Sequence, residues 1–257
     1  MKIHFTSSHS LLAQKSFAEL TKRYGQAGKD EADIFVALGG DGQVLRTLYE
    51  SMECGKPVFA IRRTESVGFL CNDFNEMDLP ARLVQAQRVT LHPLRIDAVA
   101  ADGAEHTGWA INEISVLRET SQAARLKISV DGIERIASYS GDGILVSTPA
   151  GSTAYNHSCG GPIMPLDSNT LVMTAISGYR PRGWRYAVLP QDVVVDIEAQ
   201  ELPKRPVKIE AGLCVIANAA RATVRLDRSK HLHLLFDPDL HLGERIVREQ
   251  FMLGAQG

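Results

Sequence analysis

The chain is short of several things at once, and each shortage closes off a class of protein. Cysteine is sparse: Cys54, Cys71, Cys159 and Cys214 stand far apart. None has the paired spacing of a disulfide frame or a zinc site, so they read as reduced thiols of a cytosolic protein. Excess positive charge is missing too. A formal net charge of −2 offers no basic surface of the kind that nucleic acid or an anionic membrane attracts. No apolar run approaches the roughly 20 residues of a bilayer span. The opening Met-Lys-Ile-His-Phe-Thr enters a strand-like pattern without the apolar core of a signal peptide. Repeats and low-complexity tracts are lacking. What remains is a globular composition, 44% hydrophobic and 23% charged over 257 residues. That is enough chain for one large domain or two ordinary ones with a real core.

The order of signals divides the chain near residue 90. Before it, strand and helix patterns alternate. Lys2–Thr6 reads as a strand, and Leu11–Tyr24 as a helix with Leu12, Phe17, Leu20 and Tyr24 on one side. Asp33–Leu38 is a strand of the fully buried type, and Gln43–Cys54 a helix closed by Gly55. Val58–Ile61 is a strand and Phe74–Gln87 an amphipathic helix. Such alternation gives a parallel sheet covered by helices. After it, β-rich alternation prevails from Val89 to Phe236. Asp102-Gly103 and Asp131-Gly132 mark hairpins. Later strands are expected at 171–176, 193–199, 207–210, 214–216, 222–226 and 231–236, and a helix at Leu242–Phe251. The expected layout is therefore an α/β domain over 1–90, a β-rich domain over 91–236, and a C-terminal segment, 237–257, packing back on the first.

One stretch carries the most chemistry. The apolar run Asp33-Ile-Phe-Val-Ala-Leu stops at Gly39-Gly40-Asp41-Gly42, and a helical pattern begins at once. Glycines at a strand-to-helix turn let backbone approach a bulky anion, and the free N–H groups of the helix start favour phosphate. An acid there repels phosphate on its own, so it must serve some other purpose. It can hold a metal ion, or it can take a proton from an attacking hydroxyl. A second stretch runs from Gly141-Asp142-Gly143 through Thr148-Pro149 to Gly160-Gly161-Pro162. Its strand ends in a small, hydroxyl-rich loop with one aromatic ring, the parts that hold a nucleoside. Third, Asn112 and Glu113 are adjacent polar residues inside the apolar run Trp109–Ile114. Strand neighbours point to opposite faces, so at least one enters the interior or a cleft and needs a partner. Ribose hydroxyls suit both.

With these residues the chain resembles the NAD kinase family. The matching features are Leu38-Gly-Gly-Asp41-Gly42, Val67-Gly-Phe69-Leu70, Asn112-Glu113, and the run from Gly141 to Ile163 containing Thr148-Pro-Ala-Gly-Ser-Thr-Ala-Tyr155-Asn-His-Ser158. They occur in the family's order across about residues 34–165. The last motif is highly specific; the Gly-Gly-Asp-Gly turn alone also resembles lipid kinases and phosphofructokinases. The resemblance implies a Rossmann-like α/β domain plus a β-rich domain, with the active site in the cleft between them. It implies ATP-dependent phosphorylation of the 2′-hydroxyl on the adenosine ribose of NAD, with Asp41 as proton acceptor. Gly40 and Gly42 would hold phosphates and Phe69 would pack on the nucleotide. Asn112 and Glu113 would meet nucleoside hydroxyls or base edges. Asp142, Thr153, Ala154, Tyr155, Asn156, His157 and Ser158 would line the dinucleotide pocket. Mg²⁺, or another divalent cation, would accompany ATP through substrate oxygens and water, with no dedicated metal site. A cytoplasmic homodimer or homotetramer is implied, with nucleotides as partners and neither nucleic acid nor membrane.

Three departures from the family pattern stand out: Ile61–Val67 lacks an Asn-x-Gly and offers Arg62 and Arg63 to phosphate instead, Ser140 replaces a basic residue, and Ala217-Asn218 replaces a late acidic turn. Two rival readings are a non-catalytic dinucleotide sensor and a lipid or sugar kinase of the same superfamily. A phosphatase acting on NADP is a third. Ser152 and Ser158 lack the spacing of a nucleophile elbow. His231 and His233 share a strand face without a third ligand. The basic segment Arg180–Arg185 reads as a solvated loop, a phosphate grip or a subunit contact.

Overall fold

The computed structural model describes residues 1–64, 68–75, 78–240 and 251. The expected helix at Leu242–Phe251 and Val67 of the Val-Gly-Phe-Leu motif lie outside them, Phe251 excepted. In chain order the elements are β1 (Ile3–Ser7), α1 (Leu11–Tyr24), β2 (Ile34–Gly39), α2 (Asp41–Ser51), β3 (Val58–Arg62), α3 (Leu79–Gln85) and β4 (Gln87–Leu91). Then come β5 (Leu94–Ala100), β6 (Glu105–Ala110), β7 (Glu113–Arg118), β8 (Ala124–Val130), β9 (Ile133–Gly141), β10 (Gly143–Ser147), α4 (Tyr155–Ser158) and β11 (Thr170–Ile176). The last are β12 (Tyr186–Pro190), β13 (Val195–Ala199), β14 (Val207–Ala211), β15 (Cys214–Ile216), β16 (Ala219–Leu226) and β17 (Leu232–Phe236). They form two compact units: Met1–His92 with the return that starts at Ser229, and Pro93–Arg228. No helix of the described residues is long and apolar enough to cross a membrane.

The first unit is one five-stranded sheet in the order β1-β2-β3-β17-β4. The β1/β2, β2/β3 and β3/β17 pairs are parallel and β4 is antiparallel to β17. Every residue of β2 is buried, as a central parallel strand requires. Ser10 caps α1, its hydroxyl accepting from the Ala13 amide at 3.2 Å, and Gly25 ends it. Ile3, Phe5, Val36, Leu38, Phe59 and Ile61 build the core under α1 and α3.

Two expectations change here. The strand at 231–236, expected in the β-rich domain, is β17 and lies between β3 and β4. The helix expected over Phe74–Gln87 is shorter: α3 starts at Leu79 with Pro80 in its first turn, and Gln87 already belongs to β4. Proline suits a helix start, since its missing N–H is one the helix leaves unpaired there.

The second unit holds two six-stranded antiparallel sheets, β12-β11-β10-β7-β14-β15 and β6-β5-β16-β13-β8-β9. One face of each contributes to a common core that includes Ile96, Leu126, Ile128, Ile144, Val195 and Ile209. This is sandwich packing. Both hairpins form where the Asp-Gly pairs stand, joining β5 to β6 and β8 to β9. At the second, Asp131 and Gly132 both take positive φ (52° and 73°), as a two-residue hairpin turn demands.

Candidate active site

In the first unit the site is built at the carboxyl ends of β2 and β3. Ligands of open α/β sheets bind at that end because the loops there carry helix starts and free amides. β2 runs into Gly40, which precedes α2, and Asp41 is the first residue of α2. The carboxylate reaches back over the turn. Its Oδ2 accepts from the Phe69 amide at 2.9 Å and its Oδ1 from the Leu70 amide at 2.8 Å. Two motifs separated by almost thirty residues thus meet on one side chain. Asp41 remains half-buried, Gly40 likewise, and Gly42 is exposed. A Cβ built at Gly42 would meet nothing within 4 Å, so backbone there is open to a bulky ligand. Phe69 is half-buried beside it in sequence.

The arginines offered to phosphate are engaged elsewhere. Arg62 pairs with Asp73 at 2.7 Å. Arg63 donates through Nε to Ser16 Oγ at 2.7 Å, and its guanidinium lies 3.8 Å from the centre of the Phe74 ring.

In the second unit the polar pair sits at a crossing. The run Trp109–Ile114, expected as one strand, is broken: β6 ends at Ala110 in one sheet, and β7 begins at Glu113 in the other. The chain switches layers at Ile111-Asn112. Asn112 lies between the two ladders, while Glu113 opens β7 opposite Ser147. Asn112 Oδ1 and Glu113 Oε2 are both buried with no hydrogen-bond partner among the described residues. Burial alone pushes the Glu113 carboxyl up to about 7. A buried acceptor without a donor costs about 1–3 kcal/mol, and two of them stand on adjacent residues here.

The backbone of Asn112 is fixed by the long motif. Its carbonyl accepts from the Thr148 amide at 2.8 Å and the Thr148 hydroxyl at 3.1 Å. Gly151 lies so close that an added Cβ would fall 2.4 Å from the Asn112 carbonyl oxygen. The loop after β10 is stapled on itself. Ser152 Oγ donates to the Pro149 carbonyl at 2.7 Å and accepts from the Met164 amide at 3.0 Å. Asn156, expected to line the pocket, faces inward: Nδ2 donates to the Ser152 and Pro162 carbonyls at 3.0 and 2.9 Å, and Oδ1 accepts from the Thr174 hydroxyl at 2.6 Å. Its side chain shapes the loop. Tyr155 and Ser158 are exposed, while Thr153, Ala154 and His157 are half-buried.

Asp142 stands at the other end of β10 from Thr148. It accepts from Arg118 Nε at 2.5 Å, and that guanidinium holds its carboxyl below the ordinary carboxylate range. Partial burial, ahead of the neighbouring acidic groups, holds the Tyr155 hydroxyl above its ordinary range. Arg118 and the inward stapling by Ser152 and Asn156 were not legible in the sequence, because nothing in a side chain's type names a partner dozens of residues away. Among the described residues no three His, Cys, Asp or Glu side chains converge as a metal ligand set, His231 and His233 included.

A carboxylate held by two backbone amides at strand ends, in one chain with a β-sandwich bearing a buried amide oxygen and a buried carboxylate oxygen without partners among the described residues, suits a nucleotide-handling phosphotransferase. Two solved structures share the fold. One is yeast NADH kinase complexed with NADH, with a TM-score of 0.82 and 18% identity, covering 100% of this chain and 89% of that one. The other is an NAD kinase from Archaeoglobus fulgidus in complex with ATP, with a TM-score of 0.77 and 22% identity over 99% and 100%. The ATP-NAD kinase C-terminal domain matches residues 111–235. The NAD kinase of Hyphomonas neptunium is 47% identical over 251 residues, 98% of each chain. That of Zymomonas mobilis is 45% identical over 243 residues, 94% of each. The chain belongs to the NAD kinase family.

Proposed function

We propose that this protein phosphorylates NAD, moving the terminal phosphoryl group of ATP to the 2′-hydroxyl of the adenosine ribose to give NADP and ADP. The observation that carries this is near-full-length identity of 47% to an NAD kinase. The placement of Asp41 and of the Asn112-Glu113 pair supports it. In this reading the amides around Gly40 and Gly42 grip phosphate. Asn112 and Glu113 take nucleoside hydroxyls or a base edge, and Tyr155 offers a ring to stack on. Phe69, Asp142, Thr153, Ala154, His157 and Ser158 complete the contacts with nucleotide, and Asn156 keeps the loop in shape.

The ribose oxygen attacks the γ-phosphorus while the bond from phosphorus to the β-bridging oxygen breaks. The hydroxyl proton passes to Asp41. An ionised carboxylate is too weak a base to deprotonate a resting alcohol, yet it orients the hydroxyl and accepts the proton as the new bond forms. Oδ1 takes the Leu70 amide and faces the Cys71 thiol at 4.0 Å, while Oδ2, bonded by the Phe69 amide, keeps a second acceptor position. Mg²⁺ would neutralise the triphosphate through substrate oxygens and water. We place the enzyme in the cytoplasm as a homodimer or homotetramer.

The test is turnover. Purified protein with Mg²⁺, ATP and NAD is expected to yield NADP in a dehydrogenase-coupled assay. Dinucleotide binding without product, or phosphorylation of a different alcohol, would overturn the reading. Light scattering after size exclusion checks the assembly.

A further inference from the structure

The hold on Asp41 extends to residues that never approach the substrate. We infer that Asn72, Arg82 and Asp237 form a clamp that sets the Phe69 and Leu70 amides, and through them the aim of the Asp41 carboxylate. The clamp matters to catalysis because Asp41 is the proposed proton acceptor, and so it rests on that reading.

Leu70, whose amide bonds Asp41, is two residues before Asn72. Asn72 is fully buried. Its backbone forms a single parallel bridge at the end of β3, with its amide on the Ala60 carbonyl at 2.8 Å and its carbonyl taking the Arg62 amide at 2.9 Å. Its side chain spans the gap between β3 and β17. Nδ2 donates to the Ala60 and Leu235 carbonyls, both at 3.0 Å, and Oδ1 accepts from the Asp237 amide at 2.8 Å. Both donors are used on strands that pair here over only two residues, Leu234 with Val58 and Leu235 with Phe59. The amide side chain substitutes for ladder bonds that the parted strands do not make.

Arg82 closes the ring. It is 4% exposed, very little for a cation, and grips the Asp237 carboxylate with two donors, Nε at 3.1 Å and a terminal nitrogen at 2.5 Å. The same terminal nitrogen donates to the Asp73 carbonyl at 2.9 Å, and the guanidinium lies 5.1 Å from the centre of the Phe59 ring. A buried arginine is stable only when paired and hydrogen-bonded, and a two-pronged carboxylate is its best partner. Residues 72 and 73 are therefore bound to β3, β17 and α3 at once. One residue, Cys71, separates this fixed point from the Leu70 amide. The clamp residues do not touch substrate; they are positioning residues. A carboxylate displaced by about 1 Å loses rate, while the proposed nucleoside contacts of Asn112, Glu113 and the 153–158 loop, all on the other unit, are left in place.

The experiment compares the parent with Asn72→Ser, Arg82→Lys and Asp237→Asn, with Asp41→Asn as a control. Each is assayed for kcat and for KM of NAD and ATP, normalised to folded protein by circular dichroism, and for exchange of the Leu70 amide hydrogen. Expected are a tenfold or greater fall in kcat per folded molecule, a KM for NAD within threefold of the parent, and faster Leu70 exchange. Asp237→Asn, which keeps volume and one acceptor for Arg82, should lose least. A merely structural role lowers the folded fraction and leaves kcat per folded molecule alone. Folded variants with kcat within twofold of the parent overturn the clamp, and if Asn72→Ser does not fold, the two milder variants decide. A parent without NADP-forming activity overturns the proposed function itself.

Discussion

Glu113 makes a prediction that can be worked through before any substrate is added. Its carboxyl is largely buried, with Oε2 unpartnered among the described residues, and burial raises it from 4.5 to about 7. In the unfolded chain it ionises near 4.5; in the folded protein it keeps its proton until about pH 7. The sign follows from proton counting. Between those values the folded state binds more protons than the unfolded one, so stability falls as pH rises through the window. It is level below 4.5 and level again above 7. At about 1.4 kcal/mol per pH unit across that window, the whole loss is at most about 3.5 kcal/mol. Glu113→Gln mimics the protonated side chain and does not titrate, so its advantage over the parent should grow by most of that amount from pH 5 to pH 8. Urea unfolding followed by tryptophan fluorescence measures it cleanly, since Trp109 and Trp184, the two tryptophans of the chain, both belong to the β-rich unit. An advantage that is the same at both pH values would refute the reasoning, because it would mean the carboxylate is already solvated or paired.

The same group links binding to protons. Hydroxyls donated to Glu113 favour its charged form, so NAD binding near pH 6.5 should release protons and tighten as pH rises; calorimetry in buffers of differing ionisation enthalpy reads this, and Glu113→Gln should abolish it. Asp41→Asn should cut turnover by about a hundredfold, the scale of a lost general base, with NAD affinity in the same assays little changed. Near-normal turnover would leave Asp41 a structural residue only. Gly151→Ala forces a methyl group against the Asn112 carbonyl; a loss of about 1–3 kcal/mol in urea unfolding and a raised KM for NAD are expected.

Local pattern carried the fold where neighbours in space are neighbours in sequence. The buried run ending in β2, the α2 start at its glycines and the two Asp-Gly hairpins all follow from residue type and spacing. β17 did not, because a five-residue apolar strand carries no label for its partner: its sheet neighbours β3 and β4 are well over a hundred residues upstream. The site divides the same way. Asp41, Asn112 and Glu113 announce themselves as polar groups in apolar surroundings. Asn156 sits in the same motif as Tyr155, yet its side chain turns inward, since the loop's own carbonyls needed donors. Asn72, Arg82 and Asp237 carried no signal, because an asparagine or an ion pair matters only once distant strands have brought it into a closed ring.

The late position of β17 in the chain bears on how the molecule comes into being. The stretch that leaves the ribosome first holds β1 through β4 but not the strand that joins β3 to β4. Until Pro93–Arg228 has been synthesised, that sheet has a missing stave, and β4 has no rung to hold. The sheet that carries Asp41 closes only after the β-rich unit has been made, and a polypeptide halted before Leu232 would carry Asp41 on an unfinished scaffold.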